Sequence, residues 1–97
     1  MTIARHLVIR GRVQGVGYRA FVEDAALDHG LAGWVRNRRS GAVEAVCAGS
    51  PAAIDAVVQA CRRGPPGARV DSIDEREATA EELALGSGVR FAVLPTV

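Results

Sequence analysis

Apolar positions in residues 5–13 (RHLVIRGRV) recur every second residue, placing Leu7, Ile9, Gly11 and Val13 on one side, as in a strand with one buried face. Over residues 20–29 (AFVEDAALDH) the period becomes helical. Phe21, Val22, Ala25, Ala26 and His29 share one face, while Glu23, Asp24 and Asp28 share the other. That helix is expected to begin at about Arg19 and to stop at Gly30, with His29 serving the helix end rather than chemistry. Residues 33–38 (GWVRNR) and 42–48 (AVEAVCA) form two strand patterns, and the short link Arg39-Ser40-Gly41 predicts a hairpin between them.

The second helix has clearer boundaries. Ser50 is a suitable N-cap, Pro51 fits the first helical position, and Ile54, Val57, Val58 and Cys61 make an apolar stripe. Arg62 and Arg63 suit the negative end of its dipole, and Gly64-Pro65-Pro66-Gly67 ends it. Residues 68–77 form a weaker strand, because Val70 and Ile73 are out of phase, which a bulge or an exposed edge explains. Val89, Phe91 and Val93 alternate in a last strand.

This order, β-α-β-β-α-β with an additional C-terminal strand, predicts an α+β fold of ferredoxin-like topology. It is a two-layer sandwich with an antiparallel sheet covered on one face by two helices. The strands over 5–13 and 33–38 are linked through a helix and should run parallel, with the strand over 42–48 between them. Their C-terminal ends then share one edge of the sheet, so the loop after Val13 becomes a neighbour of Asn37.

Composition narrows the functional classes. A chain of 97 residues, 48% hydrophobic and 24% charged, is expected to form one domain spanning 1–97. Twelve basic residues against 11 acidic ones leave a net charge of +1, which argues against binding nucleic acid by bulk electrostatics. Every basic residue is an arginine, which removes Schiff-base chemistry and lysine-containing phosphate loops. Cys47 and Cys61 fall on apolar positions and are expected to be buried reduced thiols. With His6 and His29 as the only histidines, no metal site of recognisable spacing can be assembled, and no cofactor is implied. The acidic cluster Asp74, Glu75, Glu77, Glu81 and Glu82 lacks ligand spacing and reads as a solvated edge. The apolar run Leu7-Val8-Ile9 is far too short for a signal peptide or membrane span, so the expected location is cytoplasmic, with no membrane partner.

The chemistry concentrates in Gly11-Arg12-Val13-Gln14-Gly15-Val16-Gly17-Tyr18-Arg19. Part of it, from Gly15 to Ala20, matches GxGxxA after a strand and before a helix. A dinucleotide fold would need an acidic residue at the end of the second strand, where this chain has Arg38-Arg39-Ser40-Gly41. The glycines still let successive N–H groups turn toward one point, and the helix N-terminus faces the same point. Arg19 at that end is electrostatically disfavoured unless an anion compensates, and its guanidinium suits a two-pronged grip on phosphate. Taken alone, these residues fit a phosphate cradle and a glycine-rich turn with solvated arginines equally well.

The stretch resembles the signature loop of the acylphosphatase family. Gly30-Leu31-Ala32-Gly33-Trp34-Val35-Arg36-Asn37 is similar to the family's second block, and Gly41-Ala42-Val43-Glu44 to the start of its third strand. The blocks occur in order at matching spacing across the chain. The resemblance implies a small hydrolase that cleaves acyl phosphates to a carboxylate and inorganic phosphate without metal. By position, Arg19 is implied to bind the phosphate and Asn37 to orient the attacking water. The N–H groups of Gly15, Val16, Gly17, Tyr18 and Arg19 are implied to complete the cradle. Tyr18 replaces the family's more frequent phenylalanine, and Ser40 replaces an aspartate before the turn glycine, a change expected to touch the hairpin and not the chemistry.

Arg10, Arg12, Arg36, Arg38 and Arg39 are expected to be mostly solvated, collectively steering anions to the site, and Trp34 to pack beside it. Single-stranded RNA binding is disfavoured, because Tyr18, Phe21, Trp34 and Phe91 make no aromatic signature on central strands. An alternative is a non-catalytic or carbamoyl-phosphate-binding module, as in acylphosphatase-like domains of larger maturation enzymes. A free-standing chain of 97 residues disfavours it, and a monomer is expected.

Overall fold

The computed structural model describes residues 1–86 and 90–97. The chain runs β1 (Ile3–Arg12), α1 (Tyr18–Asp28), β2 (Ala32–Asn37), β3 (Val43–Gly49), α2 (Pro51–Arg63), β4 (Arg69–Glu77), α3 (Ala80–Ala84) and β5 (Ala92–Val93). The five strands form one sheet in the order β4-β1-β3-β2-β5. Both β1 and β2 pair antiparallel with β3, so they run parallel to each other and end on the same edge. The ferredoxin-like α+β fold is therefore present, and the connection that positions the site is the expected one. The last strand departs from the antiparallel pattern, since β5 pairs parallel with β2 through Trp34–Ala92 and Val35–Val93. Of the residues expected to alternate there, Val89 lies outside the described residues, and Phe91 is buried just before β5.

The core forms between the sheet and α1 and α2. Leu7 and Ile9 of β1, Val35 of β2 and Val43, Ala45 and Cys47 of β3 meet Val22 and Ala26 of α1 and Ile54, Val57, Val58 and Cys61 of α2. The strand alternation and both helical stripes thus point inward on one side, and burying each larger side chain contributes roughly 1.5–3 kcal/mol. His29 is not part of the α1 stripe. It is exposed, and its Nδ1 lies 2.9 Å from the Ala25 carbonyl at the helix end, the capping role expected of it.

At the sheet edge, β4 pairs with β1, and the register shifts between Arg10–Ser72 and Gly11–Val70. Asp71 is the extra residue. The phase slip between Val70 and Ile73 thus comes from a bulge in an edge strand, both features expected from the sequence. The helix α3 was not legible in the hydrophobic pattern, because none of its residues is buried. A reciprocal capping box makes it: Thr79 Oγ1 accepts from the Glu82 N–H, and a Glu82 carboxylate oxygen accepts from the Thr79 N–H. It lies over the sheet face that α1 and α2 leave open, where Trp34 Nε1 donates to the Glu82 carbonyl at 2.7 Å.

Candidate active site

The loop between β1 and α1 carries the site. Val13 is buried and anchors its start, and the side chain of Val16 packs on the core. Between these anchors the backbone turns at Gly15 (φ 76°) and Gly17 (φ 78°), a left-handed region that a side chain rarely adopts. Gly17 is also the N-cap of α1 and offers no side chain to the helix. The first turn contains no acidic residue. The other two helices are built differently: Ser50 caps α2 by accepting from the Ala53 N–H, and Thr79 caps α3. In α1 the free N–H groups and the positive end of the dipole are left for another partner.

Tyr18 fixes where that helix end sits. Its ring is buried, and its hydroxyl donates to the Cys61 carbonyl near the end of α2 at 2.7 Å. Burial raises the hydroxyl's pKa far above its usual value, so the group is a structural tie and not an acid or base. The hydroxyl gained over phenylalanine therefore joins the N-terminus of α1 to α2.

Gln14 ties the loop to the hairpin on the other side. Its Nε2 donates to the Arg38 carbonyl at 2.7 Å and to the Ala42 carbonyl at 2.9 Å, across the base of the β2–β3 turn. Sequence reasoning did not single out Gln14. Its signal was a long polar side chain next to the buried Val13, beside a strand end predicted to be a spatial neighbour. Ser40 lies within the same turn, where its Oγ accepts from the Ala42 N–H at 3.4 Å, a hairpin contact as expected.

These ties bring Arg19 and Asn37 to one open pocket of about 320 Å³. Gly15, Gly17, Tyr18, Arg19 and Asn37 line it together, and Val16 does not. Among the described residues Arg19 forms no ion pair, although Glu23 stands one helical turn away. Asn37 alternates with the core residue Val35 and so points to the helical side of the sheet. Its Oδ1 is buried without a hydrogen-bond partner among the described residues. An unpartnered buried acceptor costs about 1–3 kcal/mol, which the site recovers only when a donor arrives. The C-terminal segment braces this strand end: Leu94 N–H donates to the Val35 carbonyl, Val97 N–H to the Asn37 carbonyl, and the Arg39 N–H to Val97.

The remaining arginines are mostly committed elsewhere. Arg36 is not solvated, with a side chain only 15% exposed; its Nε donates to Glu44 at 2.7 Å and its guanidinium stacks 4.7 Å from the Trp34 ring centre. Trp34 is buried as expected, but it packs on the sheet face beneath α3 and not beside the pocket. On that face His6 lies 2.7 Å from Glu44 and 3.7 Å from Glu82, and Arg38 reaches Glu44 at 3.2 Å. Burial alone would raise the Glu44 carboxyl, but hydrogen bonds from His6 and Arg36 outweigh it and hold the group below the usual carboxylate range. Two hydrogen bonds from Arg76, supported by the Thr79 N–H, push Glu82 down to about 2.

Three residues of the acidic cluster are likewise partnered, Asp74 with Arg10, Glu75 with Arg62 and Glu82 with Arg76, while Glu77 and Glu81 are exposed. Among the described residues, no group of three or more histidine, cysteine or acidic side chains is arranged to hold a metal. Cys47 and Cys61 are free and buried. Burial, with Cys61 nearby, pushes the Cys47 thiol up to about 12, and burial pushes Cys61 up to about 11, so neither supplies a thiolate nucleophile near neutral pH. No described helix is long and apolar enough to cross a membrane.

Comparison with known proteins agrees with this architecture. A family model described as acylphosphatase matches residues 5–91. An acylphosphatase from Bradyrhizobium diazoefficiens is 58% identical over 92 residues, covering 94% of this chain and 93% of that protein. The crystal structure of acylphosphatase from Bacillus subtilis matches with a TM-score of 0.85 at 36% identity, covering 97% of this chain and 99% of that one. HypF from T. kodakarensis matches with a TM-score of 0.81 at 30% identity; all of this chain is covered but only 12% of HypF. From the family match and the full-length relatives, the chain belongs to the acylphosphatase family.

Proposed function

We propose that this chain hydrolyses acyl phosphates to a carboxylate and inorganic phosphate, with Arg19 and the loop amides holding the phosphoryl group and Asn37 positioning the water. The observation that carries the reading is one convergence. Among the described residues, an arginine without an ion-pair partner, a helix N-terminus without a side-chain cap and a buried amide oxygen without a donor meet in the same pocket.

In this reading the N–H groups of Gly15, Val16, Gly17, Tyr18 and Arg19 donate to phosphoryl oxygens, and the Arg19 guanidinium adds two parallel hydrogen bonds. Asn37 Oδ1 accepts a hydrogen bond from water and aligns its oxygen with phosphorus. The water oxygen bonds to phosphorus as the bond from phosphorus to the acyl oxygen breaks, and that electron pair leaves with the carboxylate. An amide is not a base at neutral pH. The water proton therefore passes to an oxygen of the substrate's own phosphate. A carboxylate is already a good leaving group, and a loose phosphoryl-transfer transition state mainly needs positioning and charge stabilisation. Neither requirement calls for a metal.

Hydrolysis of acetyl or benzoyl phosphate measured with excess chelator tests this. Unchanged turnover is expected, and a strict requirement for added magnesium or zinc would overturn the metal-free chemistry. The likeness to a region of HypF favours a second reading, a non-catalytic or carbamoyl-phosphate-binding module. Binding of acyl or carbamoyl phosphate with no release of inorganic phosphate would establish that reading instead. The proposal extends to a single-domain monomer in the cytoplasm. The two free buried thiols are compatible with a reducing compartment, and sedimentation tests the monomer.

A further inference from the structure

The pocket is not uniformly cationic. Beside Arg19 it is lined by Glu23, one turn further along α1 and so about 6 Å along the helix axis. Glu23 is half-buried and, among the described residues, takes part in no ion pair. Glutamate and arginine at this spacing commonly pair on a helix. Here both remain free and both face the pocket. Beyond the cradle and the polar side chains of Gln14 and Asn37, the lining is apolar, from Val13, Ala20 and Val93.

We propose that Glu23 is a specificity residue: it makes the pocket dipolar, cationic at the phosphoryl end and anionic at the acyl end, and so selects acyl phosphates whose acyl group carries no carboxylate of its own. This inference rests on the acyl phosphate reading above. The phosphoryl group takes the end with Arg19 and the uncapped amides, which directs the acyl chain along Ala20, Val93 and Glu23. An uncharged chain meets the apolar wall there, whereas a terminal carboxylate meets a second negative charge in a partly desolvated cleft. Helical side chains lean toward the N-terminus, which brings the Glu23 carboxylate back over the cleft and not away from it. Asp24 is the internal comparison, since it is exposed on the same helix and does not line the pocket.

Butyryl phosphate and succinyl phosphate test the idea, because their acyl chains match in length and differ by a methyl against a carboxylate. The wild-type protein is expected to favour butyryl phosphate in kcat/KM. Glu23→Gln should shrink that preference about three- to tenfold, the scale of one unpaired charge acting across a partly solvated cleft. Raising salt from about 10 mM to about 0.5 M should shrink the wild-type preference as well, through screening. Asp24→Asn should leave the preference where it was. A preference unmoved by Glu23→Gln, or both substrates changing by the same factor, would overturn the selective role while leaving the hydrolase reading intact. If Glu23→Gln does not fold, the salt dependence of the wild-type preference decides, and a salt-independent preference refutes the idea. Failure to hydrolyse either substrate would instead sink the hydrolase reading and this inference with it.

Discussion

The loop edge and the sheet face beneath α3 are both rich in arginine, but they treat their polar groups in opposite ways. On the face beneath α3, Glu44 accepts from His6, Arg36 and Arg38, and Glu82 takes both prongs of Arg76, so each charge meets an opposite one. At the loop edge the Asn37 oxygen has no donor, α1 has no side-chain cap, and Arg19 has no ion-pair partner among the described residues. Net charge does not separate the two regions. Internal satisfaction does, because a completed network gains little from an added anion while an incomplete one gains a partner for each free group. The first satisfies itself as a structural cluster, and the second is the one proposed to receive the phosphate.

The largest expected effect on the open side is that of Arg19→Ala. Arginines acting on transferring phosphoryl groups are worth about 10³- to 10⁵-fold in rate, and inhibition by phosphate should vanish together with turnover. Stability should stay level or rise by about 0.3–1 kcal/mol, because a cation is removed from a helix N-terminus. Steady-state kinetics and urea unfolding read the two quantities. Substantial activity remaining in Arg19→Ala would make the two regions alike.

Glu44→Ala should show the reverse. The Glu44 side chain is only 12% exposed, and its loss leaves Arg36 and Arg38 without their counter-charge and His6 with only the longer contact to Glu82. Breaking a buried network from one side costs about 3–5 kcal/mol, so urea unfolding should shift strongly while turnover per folded molecule is retained. Equal loss of stability and of turnover per folded molecule would blur the distinction.

If its oxygen positions the water and not the anion, as proposed, Asn37→Ala should lower kcat about 10²- to 10³-fold while competitive phosphate binding stays nearly intact. Removing an unpartnered buried oxygen should not destabilise the protein. Asn37→Asp should also lower activity, by setting a negative charge beside the cradle, and here phosphate affinity should fall too. A gain in activity from aspartate would mean that a general base is limiting.

The smallest effect concerns acid. Glu82 is held at about 2 by its bonds from Arg76 and the Thr79 N–H, against an ordinary value of 4.5, and Glu44 is also lowered. A depressed carboxyl contributes stability that is fully present above its unfolded value and is lost as pH falls through the folded one. Unfolding followed at a series of pH values should therefore show stability declining from about pH 4.5 toward pH 2. Glu82→Gln should flatten part of that decline. An unchanged decline would remove Glu82 from the cluster's acid sensitivity.

Much of this contrast was legible in the sequence, and the gaps have physical causes. Strand alternation placed Leu7 and Ile9, helical spacing placed Val57 and Cys61, and chain topology brought the loop after Val13 to Asn37. Those signals are periodic or topological. Glu44 and Arg36 gave no such signal, because alternate positions on a half-open strand look solvent-facing whether or not partners cover them. Trp34 was assigned to the wrong side for the same reason: its partner, the Glu82 carbonyl, belongs to a short helix held by caps and not by an apolar stripe. The family resemblance supplied roles for Arg19 and Asn37 that residue types alone left open. It did not supply Gln14, whose two bonds to main-chain carbonyls depend on how closely the hairpin approaches the loop.

Titration of uniformly ¹⁵N-labelled protein with inorganic phosphate views both arginine-rich regions in one experiment and so separates an open site from a closed cluster. Saturable shifts are expected in the backbone amides from Gly15 to Arg19 and in the Asn37 side-chain amide. The cluster on the opposite face, around Arg38, Glu44 and Arg76, should remain still. Shifts concentrated on that opposite face, with the loop amides unmoved, would contradict the proposed site.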